Sequence, residues 1–274
     1  MTTPLHLPDL SGRSAIVTGA TQGLGADIAR VLSACGASVC LVGRNAEAGH
    51  AIAEELQQQP GARAIHCAAD IQDDAQIDAT IERTLTEFGR LDILVNNACS
   101  YDDNGLASTR EQWHRTLGVN LISAAVFAQK VVPHLPRGGC IVNLGSTGGK
   151  FGAAGRAIYP ASKAALLQFT KNLAVTVAPQ GIRAVAVSPA WTWSPSVQNF
   201  SHGSRETADA VGAQLHPLGR VGDGAEIGQV VAFVASDAAS WITGVDIPVD
   251  GGFSILGPDQ GLSPRVWFER LTPS

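Results

Sequence analysis

The feature that most constrains the fold of this 274-residue chain is a regular alternation of short apolar, β-branched runs with helical patterns. Several of the runs are apolar almost throughout, as expected of strands covered on both faces. Strand–helix alternation of this kind predicts an α/β fold with a parallel, doubly wound sheet and right-handed crossovers. The predicted strands are residues 14–18, 38–42, 63–67, 91–95, 140–145, 182–188 and 245–249.

Helix ends between these runs are marked by caps and breakers. Ser108 with Glu111 predicts a capping box, and the helix that follows must stop near Pro133. Asp223 with Glu226 predicts the start of a later helix in the same way.

One long connection interrupts the alternation of strands and helices. Residues 189–222 separate a strand from the next clear helix, and connections of this length are usually functional or disordered. Aromatic side chains in the segment argue against disorder, so we expect a substrate lid with a short helix near 205–215. No Pro/Ser-rich linker, repeat or low-complexity tract divides the chain, which predicts a single domain over residues 1–274 that ends in a tail, 253–274.

Composition excludes several classes of function. The net charge is −5 and no Lys/Arg run occurs, so a nucleic-acid or anionic-membrane surface has no support. The five cysteines are an odd set without a C-x-x-C pair, which disfavours disulfides and a zinc site; we predict no metal. The N-terminus lacks an apolar signal region, and we expect a cytoplasmic protein that does not cross a membrane.

A glycine-rich stretch, TGATQGLG at residues 18–25, directly follows the first predicted strand and opens a helical pattern. Gly19 would permit a tight turn, Gly23 a close approach of backbone to a pyrophosphate, and Gly25 close packing of helix on sheet. The helix N-terminus would then supply N–H groups to the phosphates. A plain turn is the alternative, but this position favours dinucleotide binding. The loop contacts predicted for the cofactor are Gly19, Thr21, Gln22, Gly23, Leu24 and Gly25.

The end of the second predicted strand bears on the choice of cofactor. Enzymes that use NAD usually carry an acidic residue there to hold the ribose 2′-hydroxyl. In this chain the stretch is LVGRN, with Gly43 at that position and Arg44 after it. A guanidinium suits a 2′-phosphate, so NADP(H) is favoured over NAD(H), although Arg44 could also be a solvated turn residue.

With these motifs the chain resembles the short-chain dehydrogenase/reductase family, over roughly residues 10–252. The resemblance implies a Rossmann-type, doubly wound, seven-stranded parallel sheet with three helices on each face. It also implies a homotetramer, or a homodimer. The motifs that carry it, in family order, are TGATQGLG, NNAC (96–99), Asn120 in GVNL, Ser146 in NLGS, YPASK (159–163), SPA (188–190) and VDGG (249–252).

The resemblance also implies a catalytic tetrad of Asn120, Ser146, Tyr159 and Lys163. Reduction of a ketone needs a hydride on carbon and a proton on oxygen. A free phenol is too weak an acid for this near neutral pH, and an ammonium one helical turn away favours the phenolate. By resemblance, Ser146 would hydrogen-bond the substrate oxygen, Asn120 would hold a relay water, and Lys163 would also hold the nicotinamide ribose.

Further cofactor contacts follow from the resemblance. Asp70 would accept a hydrogen bond from adenine, its alternative role being a helix cap. The Thr192 backbone and the Ser194 hydroxyl would meet the carboxamide. The chain departs from the family at Cys99 and Ala190, where glycines are usual. The full set of contacts outside the glycine loop is Arg44, Asp70, Ile71, Asn97, Ala98, Tyr159, Lys163, Pro189, Thr192 and Ser194.

The substrate is constrained only in class. Apolar aromatic walls favour a cyclic or aromatic secondary alcohol or ketone over a small polar sugar. A 3-oxoacyl reductase is the main rival, and a non-catalytic NAD(P)-binding sensor is a second alternative that would need no Tyr/Lys pair. Candidate wall residues are Tyr101, Thr147, Gly148, Phe151, Trp191, Trp193 and Phe200.

Overall fold

A computed structural model describes residues 8–272 of the chain, and within them a seven-stranded sheet has the order β3-β2-β1-β4-β5-β6-β7. Every neighbouring pair of strands is parallel. The seven predicted strands are confirmed, with ends within two residues of those expected. They are β1 (Ser14–Thr18), β2 (Ser38–Val42), β3 (Ala64–Cys67), β4 (Ile93–Asn96), β5 (Cys140–Leu144), β6 (Arg183–Pro189) and β7 (Asp246–Val249).

Helices connect the strands and cover the sheet. The bounds are α1 (Gly23–Ala34), α2 (Ala46–Gln57), α3 (Asp74–Phe88), α4 (Arg110–Leu117), α5 (Ser123–Val131), α6 (Ile158–Val177), α7 (Pro195–Phe200), α8 (Arg205–Gly212), α9 (Gly224–Ala235) and α10 (Pro264–Leu271).

Side chains alternate between the two faces of the sheet along each strand, and helices bury both faces. On β1, Ala15 and Val17 belong to one core and Ile16 to the other. The first core is closed by α1, α2 and α9, and the second by α3, α5 and α6. This arrangement confirms the doubly wound α/β sandwich.

One predicted capping box is wrong by a residue. Thr109 and Gln112, rather than Ser108 and Glu111, form the reciprocal pair at the start of α4. The Ser108 hydroxyl instead accepts a hydrogen bond from Asn104 N at 2.8 Å, which closes the preceding turn and moves the helix start. The box of Asp223 and Glu226 at the start of α9 is confirmed.

The two ends of the long segment after β6 are hydrogen-bonded to each other. Trp193 N donates to Gly222 O at 2.8 Å and Gly222 N donates to Trp191 O at 2.9 Å, so the two ends of the segment are joined. Between them lie α8, which confirms the helix predicted near 205–215, and the shorter α7, which the sequence did not predict.

The helical stretch Arg110–His134 is long and apolar enough, by length and composition alone, to cross a membrane. Core helices pass the same test. Here Phe127, Ala128 and Val131 pack into the second core of the sheet, as in a core helix. The stretch is not a regular α-helix, since a π-helical turn, Gly118–Ile122, separates α4 from α5.

Candidate active site

A crevice opens at the carboxyl ends of β1 and β4, where the strand order reverses. A Cβ on Gly19 would lie 2.8 Å from Ala98 Cα, and a Cβ on Gly25 would lie 2.3 Å from Gly19 O. Gly19 also has a φ of 65°, in the left-handed region. Both positions therefore need glycine, because backbone would otherwise have to move.

The first turn of α1 faces this crevice with its N–H groups available. Gln22 precedes the helix, but its side chain makes no capping hydrogen bond, and no acidic residue lies in the first turn. Such a helix N-terminus attracts an anion through its unpaired N–H groups and its dipole. The crevice thus fits the pyrophosphate of a dinucleotide.

The crevice encloses a cavity of about 320 Å³. Twelve of the residues predicted to contact the cofactor line it: Gly19, Thr21, Gln22, Gly23, Leu24, Gly25, Arg44, Asp70, Ile71, Asn97, Ala98 and Ser194. The other eight lining residues were not among the predicted cofactor contacts: Val42, Gly43, Ala69, Cys99, Tyr101, Val119, Pro195 and Ser196. Most of these are apolar neighbours of predicted contacts.

Four predicted cofactor contacts, Tyr159, Lys163, Pro189 and Thr192, lie outside that lining. Thr192 is buried, and its hydroxyl donates to Ala190 O at 3.3 Å. The Ser194 hydroxyl accepts a hydrogen bond from Val197 N at 3.5 Å and so caps α7. Contacts of these residues with a carboxamide remain predictions.

The end of the cavity where adenosine is predicted to lie is lined by one cation, Arg44, and one acid, Asp70. Arg44 lines the cavity beside Gly43, whose carbonyl lies 3.1 Å from His66 Nε2. Asp70 also lines it and accepts a hydrogen bond from Gln72 N at 3.0 Å. The cap of α3 is Asp73, so Asp70 does not cap that helix.

Asn120 is buried in the π-helical turn and uses both ends of its amide. Its Oδ1 accepts from Ser100 N at 2.7 Å, and its Nδ2 donates to Ser100 O and to Ser162 Oγ, each at 3.0 Å. Ser162 in turn donates to Tyr159 O at 2.7 Å. Asn120 is therefore tied to the first turn of α6, and Ser162 is a link that sequence reasoning missed.

Ser146, Tyr159 and Lys163 meet at the start of α6. The position that a Cβ would take on Gly148 lies 3.3 Å from both Ser146 Oγ and Tyr159 Cε1. Lys163 Nζ lies 5.9 Å from the centre of the Tyr159 ring and donates to Leu144 O at 2.7 Å. Pro160 falls in the first turn of the helix, where a missing N–H costs nothing. The structure therefore places Ser146, Tyr159 and Lys163 close together, and Asn120 reaches the same turn of α6 through Ser162.

The start of α6 is held by a carboxylate that the sequence did not reveal. Asp103, in the loop after β4, accepts hydrogen bonds from Ala157 N at 3.0 Å and from Tyr159 N at 2.9 Å. It also accepts from Gly105 N at 2.9 Å. Burial alone would raise the pKa of Asp103, but these main-chain donors outweigh it and lower the pKa.

We expect Asp103→Ala to lower the free energy of unfolding by about 1–2 kcal/mol, as loss of a helix cap does. It should also lower kcat, because the backbone of Tyr159 loses its anchor.

Because the pKa of Asp103 is lowered on folding, the carboxylate stabilises the fold above its unfolded-state pKa. That contribution is lost as the pH falls through the folded-state pKa. Thermal denaturation at several pH values and kcat at saturating cofactor measure both effects. Asp103→Asn, which keeps an acceptor oxygen, is the control; equal losses in the two variants would contradict the capping role.

Two side chains of the same loop, Cys99 and Tyr101, line the cavity. The Tyr101 ring stacks on the Tyr159 ring, with centroids 5.0 Å apart and an interplanar angle of 23°. Burial raises the pKa of the Cys99 thiol, and the Lys163 ammonium opposes this shift without reversing it. Cys99 is thus a protonated packing residue at neutral pH rather than a nucleophile.

Known proteins are similar to this chain over most of its length. Residues 19–254 match the family model described as enoyl-(acyl carrier protein) reductase. The chain is 35% identical over 254 residues to cis-4-hydroxycyclohexanecarboxylate dehydrogenase of Sinomonas cyclohexanicum, covering 89% of this chain and 97% of that one. It is 36% identical to 3-oxoacyl-(acyl-carrier-protein) reductase of Escherichia coli (strain K12), covering 90% of this chain and 100% of that one.

Solved structures also match the fold of this chain. A crystal structure of a short chain dehydrogenase from Burkholderia cenocepacia J2315, in complex with NADP, matches with a TM-score of 0.82 and 33% identity. The match covers 89% of this chain and 99% of that chain.

Proposed function

The chain belongs to the short-chain dehydrogenase/reductase family, and from this premise we propose that it transfers a hydride between a nicotinamide cofactor and a cyclic or aromatic secondary alcohol or ketone. As a member it is an oxidoreductase that uses a pyridine nucleotide. The observation that supports the finer proposal is the meeting of Ser146 and Lys163 around the ring of Tyr159. Tyr101, stacked on that ring, also lines the cofactor cavity, so the two regions adjoin.

The chemistry of the proposed site follows from its side chains. A nicotinamide bound in the crevice would supply or accept the hydride. Tyr159 would give a proton to the substrate oxygen during reduction and take it back during oxidation. Ser146 would hydrogen-bond the same oxygen, and the buried Lys163 ammonium would stabilise negative charge on the Tyr159 oxygen by electrostatic attraction. Two of its three donors are left for other partners once Leu144 O is bound.

In this scheme the side chain of Asn120 would not itself hold the relay water. Its amide is committed to Ser100 and Ser162. A relay water would therefore be held by its main-chain oxygen, because a π-helical turn changes the pairing of the carbonyls. The amide then acts by fixing that turn against α6.

A cyclic or aromatic substrate is supported by the walls of the site. Tyr101, Phe151 and Trp191 are 59%, 44% and 44% exposed, which is unusual for large aromatic side chains and offers flat apolar surfaces. The relative from Sinomonas acts on a cyclic secondary alcohol by its name. Trp193 is a weaker candidate for this wall, because it packs under the Arg205 guanidinium, 5.6 Å from its ring centre.

A 3-oxoacyl reductase activity is the second candidate, favoured by the 36% identity with the Escherichia coli enzyme. A panel of ketones, assayed with NADPH and with NADH by loss of nicotinamide fluorescence, separates the two. It should include 4-oxocyclohexanecarboxylate, its methyl ester, an aromatic ketone and a 3-oxoacyl thioester of N-acetylcysteamine. A higher kcat/KM for the thioester than for the ring ketones would favour the 3-oxoacyl reductase activity. No turnover of any ketone or alcohol would favour a non-catalytic cofactor-binding sensor.

We propose that residues 189–222 act as a lid. Trp191 and Trp193 fluorescence should change when cofactor and substrate bind together, and limited proteolysis within the segment should slow. The joined ends of the segment at Thr192 and Gly222 make a rigid-body movement of α7 and α8 the expected motion. Identical cleavage rates with and without saturating ligands would favour a permanently packed loop over a lid.

Assembly as a homotetramer, or a homodimer, and a cytoplasmic location complete the proposal. Large apolar side chains such as Leu106, Ile122 and Trp241 are exposed on the protomer, which suits contacts between subunits. The five cysteines are free thiols, as a reducing compartment allows. Analytical ultracentrifugation measures the first of these points, and fractionation of cells the second.

A further inference from the structure

The guanidinium of Arg156 places a positive charge beside the proposed active site. Arg156 lies in an exposed loop, residues 150–157, that leads from the turn at Thr147–Gly149 into α6. Its Cζ atom is 5.7 Å from the centre of the Tyr159 ring. The loop contacts the segment after β4, since a Cβ on Gly105 would lie 3.1 Å from the Gly155 carbonyl carbon. Arg156 therefore sits beside the ring of the proposed proton donor, at the start of α6.

The charged side chains around Arg156 already have partners. Lys150 forms an ion pair with Asp246 at 2.6 Å. Asp102 is paired with Arg115 at 2.8 Å, and Asp103 is bound by main-chain N–H groups. Among residues 8–272, no carboxylate oxygen lies within 4.0 Å of the Arg156 guanidinium. The site thus presents an available cation and no available acid.

A chain of rings runs from the loop that carries Arg156 to the proposed lid. Tyr101 stacks on Tyr159, as described above. Phe151 and Trp191 are connected through Phe253 and His216, with successive ring centroids 6.0, 5.6 and 6.4 Å apart. A flat ring can lie along such walls with its carbonyl at Tyr159. A negative group elsewhere on the ring then meets Arg156.

We infer that Arg156 binds a carboxylate carried by the ring of the substrate, so that the natural substrates are cyclic or aromatic hydroxy acids and the corresponding keto acids. A guanidinium holds a carboxylate through two parallel hydrogen bonds, which fixes the ring as well as attracting it. The inference rests on the proposed function and specifies the substrate class of that same site. It leaves the hydride and proton transfers as they are described above.

Two ketones that differ only in charge test the inference: 4-oxocyclohexanecarboxylate and its methyl ester. The measured quantity is the ratio of kcat/KM for the acid to kcat/KM for the ester. In Arg156→Gln this ratio should fall about tenfold, because solvent exposure of Arg156 reduces the value of the paired hydrogen bonds to about that of a single charge-assisted one. Arg156→Lys should fall less, because it keeps the charge and loses the paired geometry. Arg83→Gln, which removes a surface charge on α3, is the control and should leave the ratio unchanged.

A binding measurement keeps the inference separate from the proposed reaction. Titration of the protein, saturated with NADPH, with cyclohexanecarboxylate should give a Kd about tenfold weaker in Arg156→Gln than in the wild type. Weakened binding without turnover of any ketone would support the carboxylate site and overturn the proposed function. Turnover of the neutral ester with an unchanged acid-to-ester ratio in Arg156→Gln would overturn the carboxylate site and leave the function standing. Equal losses for acid and ester would also overturn it, since Arg156 would then only support the loop.

Discussion

Tyr159→Phe should lower kcat/KM for ketone reduction by about 10²–10⁴-fold, the usual contribution of a general acid–base catalyst. The ring of Tyr159 is 8% exposed and stacks on Tyr101. Phenylalanine keeps this packing and removes only the oxygen, so the fold should be retained and cofactor affinity should fall far less than kcat/KM. Steady-state kinetics, with a thermal denaturation curve and a cofactor titration on the same preparation, measure the three quantities.

The stacked neighbour provides a matched control. Tyr101→Phe removes the same atom from an adjacent ring without removing the proposed proton donor, so its loss of kcat should be much smaller. Lys163→Ala should lower kcat and weaken cofactor binding, because the buried ammonium faces both the phenol and the ribose in the proposed arrangement. Activity of Tyr159→Phe close to that of the wild type would end the proposed mechanism, whatever the control does.

The second large effect concerns the choice of cofactor. If Arg44 binds the 2′-phosphate, its charge-assisted hydrogen bonds contribute about 1.5–3 kcal/mol. Wild-type protein should then prefer NADPH to NADH by roughly 10- to 100-fold in kcat/KM. Arg44→Gln should remove most of this preference by weakening NADPH alone, and Arg83→Gln again controls for net charge. Equal efficiency of the two cofactors in the wild type would mean that Arg44 is a solvated turn residue.

The reciprocal substitution, Gly43→Asp, follows from the sequence as a way to reverse this preference. The structure makes it a poor test, because a Cβ on Gly43 would lie 2.7 Å from Thr21 Cγ2. Thr21 belongs to the glycine loop that lines the cavity. A change in kcat/KM could then come from a displaced loop instead of a new carboxylate. Arg44→Gln avoids this, since it alters only a side chain that faces the cavity.

The sequence alone determined the architecture of this protein. Short apolar runs separated by helical patterns specify a two-sided parallel sheet, since each run must be buried on both faces. The glycine loop was found from local rules, because Gly19 and Gly25 are needed where backbone meets backbone. The box of Asp223 and Glu226 was found in the same way. The spacing of Tyr159 and Lys163 placed both on one helix face, and the resemblance to a family added Ser146 and Asn120.

Tertiary structure decided what holds those residues in place. Asp103 binds Tyr159 N across 56 residues of chain, and Asn120 reaches Ser162 across 42. The Arg156 cation meets the Tyr159 ring through an irregular loop. Periodicity reports which face of a helix or strand is buried, whereas these contacts join loops whose paths have no period. A carboxylate in such a loop looks like any solvated acid until the fold brings a helix N-terminus to it, and that is why the sequence did not reveal Asp103.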